Sequence, residues 1–182
     1  MPTQIRLNVV EVFEENPVEN EPPVRCVLLT TEPIDTVEQL SRIVDIYRAR
    51  WLIEEYFKSL KTGCSFEKRQ LDSARSLLVA LAILAPVAWM LLVMRHLSHH
   101  AAETLASQVF SPIQIAILST QYPKLFKTDQ PTVSEATLAM AKLGGHLKSN
   151  GPPGWITLAR GYTRMLEQQV GWEMATSVNQ LM

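Results

Sequence analysis

Residues 45–63 read DIYRARWLIEEYFKSLKTG. Tyr47 and Tyr56, four bases (Arg48, Arg50, Lys58, Lys61) and the pair Glu54-Glu55 crowd into this one stretch. Ile46, Ile53, Phe57 and Leu60 recur at helical spacing, which predicts an amphipathic helix with a core face. At about 100° per residue, Tyr47, Arg50, Glu54, Lys58 and Lys61 fall within an arc of about 80° beside that face, with Trp51 at its edge. Glu55 falls off this polar stripe and reads as a surface residue. Two chemistries fit the stripe. Arg50–Glu54 and Glu54–Lys58 are i,i+4 pairs, each worth ~0.2–0.5 kcal/mol, as on many solvated helices. The same residues also suit a carboxylate that holds metal beside cations that hold phosphate.

Working outward, the helix is predicted to start near Asp35-Thr36, where Thr36 and Gln39 form the T-x-x-Q capping pattern. It should run to about Thr62, with Gly63 as its stop. Upstream, residues 3–15 largely alternate apolar and polar and read as a strand. Residues 16–23 form an acidic, proline-rich turn, and residues 24–33 form a second strand. A hairpin of two strands is marginal alone, so these strands are expected to extend a larger sheet. Downstream, a long helix is predicted from Ser73 to about His99. Shorter helices follow at 101–108, 111–121 and 132–146, with a loop at 122–131 and a rigid turn at 150–154. The last helix covers 155–182, where Gly161 and Gly171 are possible interruptions. The fold class is α+β, mostly α.

The chain has 182 residues, 47% of them hydrophobic and 19% charged, enough for one sizeable core and against wholesale disorder. A formal net charge of −1 conceals an uneven distribution. Residues 1–40 carry eight acids against Arg6 and Arg25, residues 41–69 seven bases against four acids, and the remainder eight bases against six acids. Whole-chain charge therefore argues neither for nor against nucleic acid, while residues 42–69 are the place to look for an anionic partner. Cys26 and Cys64 show no CxxC pattern and no histidine at ligand spacing, so they read as reduced thiols rather than zinc ligands. His99-His100 reads as a helix end rather than a metal pair. The N-terminal stretch lacks a basic flank and an uncharged core, so no cleavable leader is expected. Leu77–Met94 is uncharged for eighteen residues, near the membrane-span threshold. It stands alone, however, bracketed evenly by Arg75 and Arg95, and a buried helix is the preferred reading.

The spacing Tyr47-x2-Arg50-x3-Glu54-x6-Lys61 resembles the Y-x2-R-x3-E-x6-K signature of DDE transposases of bacterial insertion sequences. The branch with this signature includes the transposase of the kanamycin-resistance composite transposon. "VRCVLLTTEPIDTVEQLSRIVDIY" is similar to the strand and helix leading into that signature, and "PTVSEATLAMAKLGGH" to the family's C-terminal helical region. The resemblance implies the edge of an RNase H-like catalytic domain over 1–98, made of a β insertion (1–33), the signature helix (35–62) and a buried helix (73–98). An α-helical dimerisation region follows over 99–182. It implies that Glu54 is the third catalytic, metal-binding carboxylate, acting with Mg2+ or Mn2+ in a complete site. Tyr47, Arg50 and Lys61 correspond to residues that hold transposon-end phosphates, and Lys58 is a further candidate on the same stripe. Expected partners are transposon-end DNA and a second transposase in a synaptic complex, with a cytoplasmic location and no membrane. Trp155, Tyr162, Met165, Leu166 and Trp172 are candidates for a pairing seam, with an ordinary internal core as the equal alternative.

Two departures from the family pattern stand out. The family's two aspartates lie upstream of the glutamate, whereas the aspartates here are Asp35, Asp45, Asp72 and Asp129. The chain is therefore expected to be the C-terminal portion of such an enzyme and not to cleave DNA by itself. The alternative is a truncated regulator that pairs with full-length transposase and inhibits it. The second departure is Cys26, which stands where relatives often carry a tryptophan that receives a base flipped from a DNA hairpin. Base stacking of order 1–3 kcal/mol is lost there unless another group substitutes, which puts the hairpin route in question.

Overall fold

A computed structural model describes residues 4–19 and 21–181. Thr3, Asn20 and Met182, which fall in the expected first strand, turn and last helix, lie outside the described residues. The chain is mostly helical, with one small antiparallel sheet. Its contacts divide it into two units, Met1–Glu54 and Glu55–Met182.

In the first unit, strands β1 (Asn8–Phe13) and β2 (Arg25–Thr30) pair antiparallel, with Val10 opposite Leu28 and Val12 opposite Cys26. Both strands are shorter than the alternating sequence suggests, because alternation extends past the residues that find a ladder partner. Side chains alternate across the pleat. Val10 and Leu28 are buried with Ile43 of helix α1 (Val37–Ala49), and Cys26 and Val12 pack on the same cluster. The opposite face leaves Val9, Val27 and Leu29 exposed. The predicted cap is present: Thr36 accepts from the Gln39 amide, and the Gln39 side chain accepts from the Thr36 amide.

The helix expected over 35–62 is three segments. After α1 comes a turn at Arg50, then α2 (Trp51–Lys58), then a π-helical turn over Ser59–Gly63. The division between the units falls inside α2. At Arg50 the backbone stays right-handed, but its N–H bonds to Tyr47 O at 3.1 Å, and Ile53 N–H bonds to Arg50 O at 3.0 Å. These i→i−3 bonds tighten the turn locally. At the far end the Cys64 N–H reaches back five residues to Ser59 O at 2.9 Å. The wider turn buries the consecutive residues Ser59 and Leu60.

The second unit is built on α3 (Ala74–His100), α4 (Pro112–Gln121), α5 (Val133–Leu143) and α6 (Trp155–Leu181). By length and composition α3 is apolar enough to cross a membrane. The buried helix expected over 73–98 is buried only in its second half, at Ala88, Leu91, Leu92 and Met94, whereas Leu78, Val79, Ile83 and Trp89 are exposed. The helix runs through Pro86, whose missing N–H leaves one carbonyl a turn earlier without its helical donor. Side chains from α2 and the π turn dock nearby, with Tyr56 Oη donating to Ala85 O at 3.4 Å and Ser59 Oγ to Ala88 O at 3.0 Å. Replacing Ser59 with alanine is expected to cost ~0.5–1.5 kcal/mol, the scale of one net hydrogen bond, read as a lower urea midpoint with unchanged slope.

Phe110, Leu91, Met94, Leu118, Met140, Leu158, Met165 and Val133 form the buried centre. Helices α4 and α5 open on reciprocal caps, Ser111 with Gln114 and Thr132 with Glu135. The predicted helix at 101–108 is instead a pair of turns and a short 3-10 segment, Ala106–Gln108. There the Ala106 N–H bonds to Pro131 O at 2.8 Å and the Val133 N–H to Thr104 O at 2.7 Å, so cross-chain bonds displace helical ones. Helix α6 passes without interruption through Gly161 and Gly171. Gly161 is a packing residue, because the α5 backbone approaches it closely at Met140. Trp155 and Met165 are buried, with Tyr162 packed against the same core. The internal-core alternative therefore holds for these three, and only Trp172 of the suggested seam is exposed.

Candidate nucleic-acid and metal interface

Tyr47, Arg50 and Glu54 belong to the first unit and Lys58 and Lys61 to the second. All five are exposed. The constant rotation assumed from sequence applies within α1 and within α2, but not through the π turn that carries Lys61.

The i,i+4 pair expected between Arg50 and Glu54 is not formed. The Arg50 guanidinium lies over the Tyr47 ring, 5.7 Å from its centroid, within reach of a cation–π attraction of ~0.5–1 kcal/mol at an exposed site. Helical side chains lean toward the N-terminus of their helix, which suits a guanidinium over residue 47 rather than one reaching Glu54. The Glu54 carboxylate has no ion-pair partner among the described residues. An acid on a base-rich stretch left without a partner is available to bind an external cation.

In the second unit Lys58 Nζ lies 2.9 Å from Glu55 Oε1, and Lys61 Nζ lies 2.9 Å from Glu67 Oε1. Glu55, read from sequence as a plain surface residue, is thus partly buried and an anchor for Lys58. The Lys61–Glu67 pair is exposed, and such pairs are worth ~0–1 kcal/mol, so a phosphate competes easily for the ammonium. Sequence reasoning missed Glu67, because its pairing depends on the chain turning back after Gly63. That reversal passes through Ser65, which holds a positive φ of 53°. Beside it Cys64 is buried, and burial pushes its thiol pKa up, opposed in part by Arg69.

Metal ligands are sparse. Among the described residues no group of three or more His, Cys, Asp or Glu side chains stands close enough to hold an ion. A lone exposed glutamate does not make a two-ion centre. The described residues therefore do not by themselves fit the pair of divalent ions that the sequence resemblance implies.

Residues 3–90 match the family model of the transposase DDE domain. That match supports a DDE transposase relationship for this part of the chain. It includes the hairpin, the whole of 45–63 and the first part of α3.

Proposed function

We propose that the chain is the C-terminal part of a cut-and-paste DNA transposase of the Y-x2-R-x3-E-x6-K branch. In this reading residues 1–98 form one edge of an RNase H-like catalytic domain and residues 99–182 a helical dimerisation region. Glu54 supplies the third metal-binding carboxylate, and Tyr47, Arg50, Lys58 and Lys61 hold transposon-end phosphates. The observation that carries the reading is the unpartnered Glu54 carboxylate beside an arginine turned toward Tyr47. The family match over 3–90 supports it.

When bound, a pair of divalent ions such as Mg2+ or Mn2+ activates the attacking oxygen of a phosphoryl transfer and stabilises the leaving one. The first two carboxylates have to come from outside this chain, either from a preceding segment or from another polypeptide. What these residues do themselves is bind and orient. A guanidinium and an ammonium grip phosphate oxygens by charge-assisted hydrogen bonds, and a phenol donates to a third. Such contacts fix the register of the DNA without reading its sequence. A second transposase copy is the proposed protein partner, with the exposed Val170, Trp172, Met174 and Val178 of α6 supporting a pairing surface. A cytoplasmic location belongs to the same reading.

Binding to the inverted-repeat ends that flank the gene tests the DNA contacts. Lys61→Ala and Arg50→Ala should each weaken binding in a gel-shift titration by roughly tenfold and reduce the salt slope by about one. Glu54→Gln should leave binding intact or slightly stronger. Equal affinity for all four proteins would count against the phosphate roles.

A second reading has its own support, the lack of a three-ligand metal group among the described residues. A chain with phosphate contacts and a pairing surface but no complete centre suits a regulator that joins full-length transposase and inactivates it. Co-expression with an intact transposase separates the two, because a regulator lowers transposition in a dose-dependent way.

A further inference from the structure

A pocket of about 290 Å3 opens in the second unit, far in sequence from the stripe on 45–63. Its walls are the last turns of α3, the first turns of α5 and the turn at residues 146–153. Arg95, His99, His146 and Lys148 all line it, and no aspartate or glutamate does among the described residues. Two cations, Arg95 and Lys148, and two imidazoles line one concavity with no acid among the described lining residues, which is not a solvated salt-bridge pattern, and clefts of one sign concentrate counter-ions.

The local chain is built to hold these groups in place. Helix α5 ends with the Gly145 N–H on Lys142 O at 2.9 Å and the His146 N–H on Ala141 O at 3.0 Å. That paired closure needs a left-handed residue, and Gly145 has a φ of 94°. His146 is therefore fixed at the rim. Further on, Gly151 adopts φ 70° and ψ −153°, a region essentially restricted to glycine. This reversal lets Pro153 O accept from Arg95 Nη1 at 3.4 Å. The Arg95 guanidinium also rests over the Trp155 ring at 4.6 Å. One of its five donors is thereby used, and the plane is held steady while the others remain.

Two further features favour an anion. Ser134 lies in the first turn of the eleven-residue helix α5, where the helix dipole is positive. Thr137 also lines the pocket, and its buried hydroxyl has no hydrogen-bond partner among the described residues. Leaving a buried hydroxyl unpaired is costly, so its survival fits a place where a ligand completes the bonding.

We propose that this pocket binds a phosphate group. Exposed Lys148 and His99 meet it from the rim, and Arg95 from the wall. The phosphate comes either from a small free phosphate compound or from a nucleic-acid backbone. This site stands on different residues from the transposase reading and does not depend on it.

The test is a titration of the 15N-labelled full chain with pyrophosphate, and separately with a short oligothymidylate, against a chloride control. Pyrophosphate is expected to shift the backbone amides of Ser134, His146 and Gly151 saturably. The double variant Lys148→Gln, His99→Gln, whose side chains are exposed, should weaken that binding roughly tenfold. If the oligonucleotide moves the same amides and pyrophosphate displaces it, the phosphate source is a nucleic acid. If it leaves them unmoved, the source is a small molecule. No shift at these amides overturns the proposal, as does binding that the double variant leaves unchanged. Should the variant fold poorly, the location of the wild-type shifts decides alone.

Discussion

Gly161→Ala is expected to cost about 2–4 kcal/mol of stability, while the same change ten residues on, at Gly171, should be neutral or stabilising. Both glycines lie inside α6, where alanine is the better helix former by ~1 kcal/mol. Intrinsic propensity therefore favours both substitutions equally. The surroundings do not. A Cβ at Gly161 would fall onto the carbonyl oxygen of Met140 in α5, and one at Gly144 onto the carbonyl oxygen of Thr157 in α6. Both obstacles are backbone, so relief requires the helices to separate and the packing around Met140, Leu158 and Met165 to open. Overpacking of this kind typically costs 1–3 kcal/mol, occasionally more. A Cβ at Gly171 meets nothing within 4 Å. Thermal melts followed by circular dichroism check the contrast, since ~2–4 kcal/mol corresponds to several degrees for a unit of this size. Equal behaviour of the two alanines would mean the α5–α6 crossing is not as close as described.

Much of this architecture was legible in the sequence, for identifiable reasons. The hairpin followed from alternation around a proline-rich turn, and the start of α1 from the Thr36–Gln39 pattern. The short helix expected over 111–121 is present as α4, and its Ser111–Gln114 cap is seen only in the structure. What the sequence concealed depended on partners distant in the chain. The segment 101–108 has helical composition but bonds across to Pro131 and Val133 instead, with Leu105 opposite Thr132. Gly161 has the look of a helix breaker, and only the approach of α5 reveals it as a contact point. The break in the signature helix was equally hidden. Nothing in the run Tyr47 to Gly63 disfavours a continuous α-helix, yet the need to bury both Ser59 and Leu60 against α3 widens its last turn.

The candidate site was legible in its residues and not in their pairing. Spacing brought out Tyr47, Arg50, Glu54, Lys58 and Lys61, and also suggested a ladder of ion pairs. Within the first unit Arg50 chooses the Tyr47 ring, and Glu54 is left open. In the second, Lys58 and Lys61 choose Glu55 and Glu67. An i,i+4 ion pair is worth only ~0.2–0.5 kcal/mol, so a small change of backbone or a nearby alternative partner decides between such arrangements. Periodicity alone cannot make that choice. The basic pocket around Arg95 escaped sequence analysis for another reason: its residues come from three elements and share no motif.

Glu54→Gln carries the largest expected effect on function. Glu54 is exposed and unpartnered, so the amide keeps the shape of the side chain and should leave stability within about 0.5 kcal/mol, as for most surface changes. It removes the charge to which the proposal assigns cation binding. If Glu54 holds a divalent ion as proposed, its loss removes part of the electrostatic stabilisation of the phosphoryl transfer, and single losses of that kind lower rate by about 10²–10³-fold. The direct test supplies the two missing carboxylates by fusing a segment with the DDE family's paired aspartates ahead of this chain. Cleavage of transposon-end DNA is then measured with magnesium, with and without Glu54→Gln. The account predicts that the fusion cuts, that the glutamine variant binds the same DNA, and that it does not cut. Equal cutting by both fusions would contradict it, and would reduce the stretch from Tyr47 to Lys61 to an ordinary charged surface.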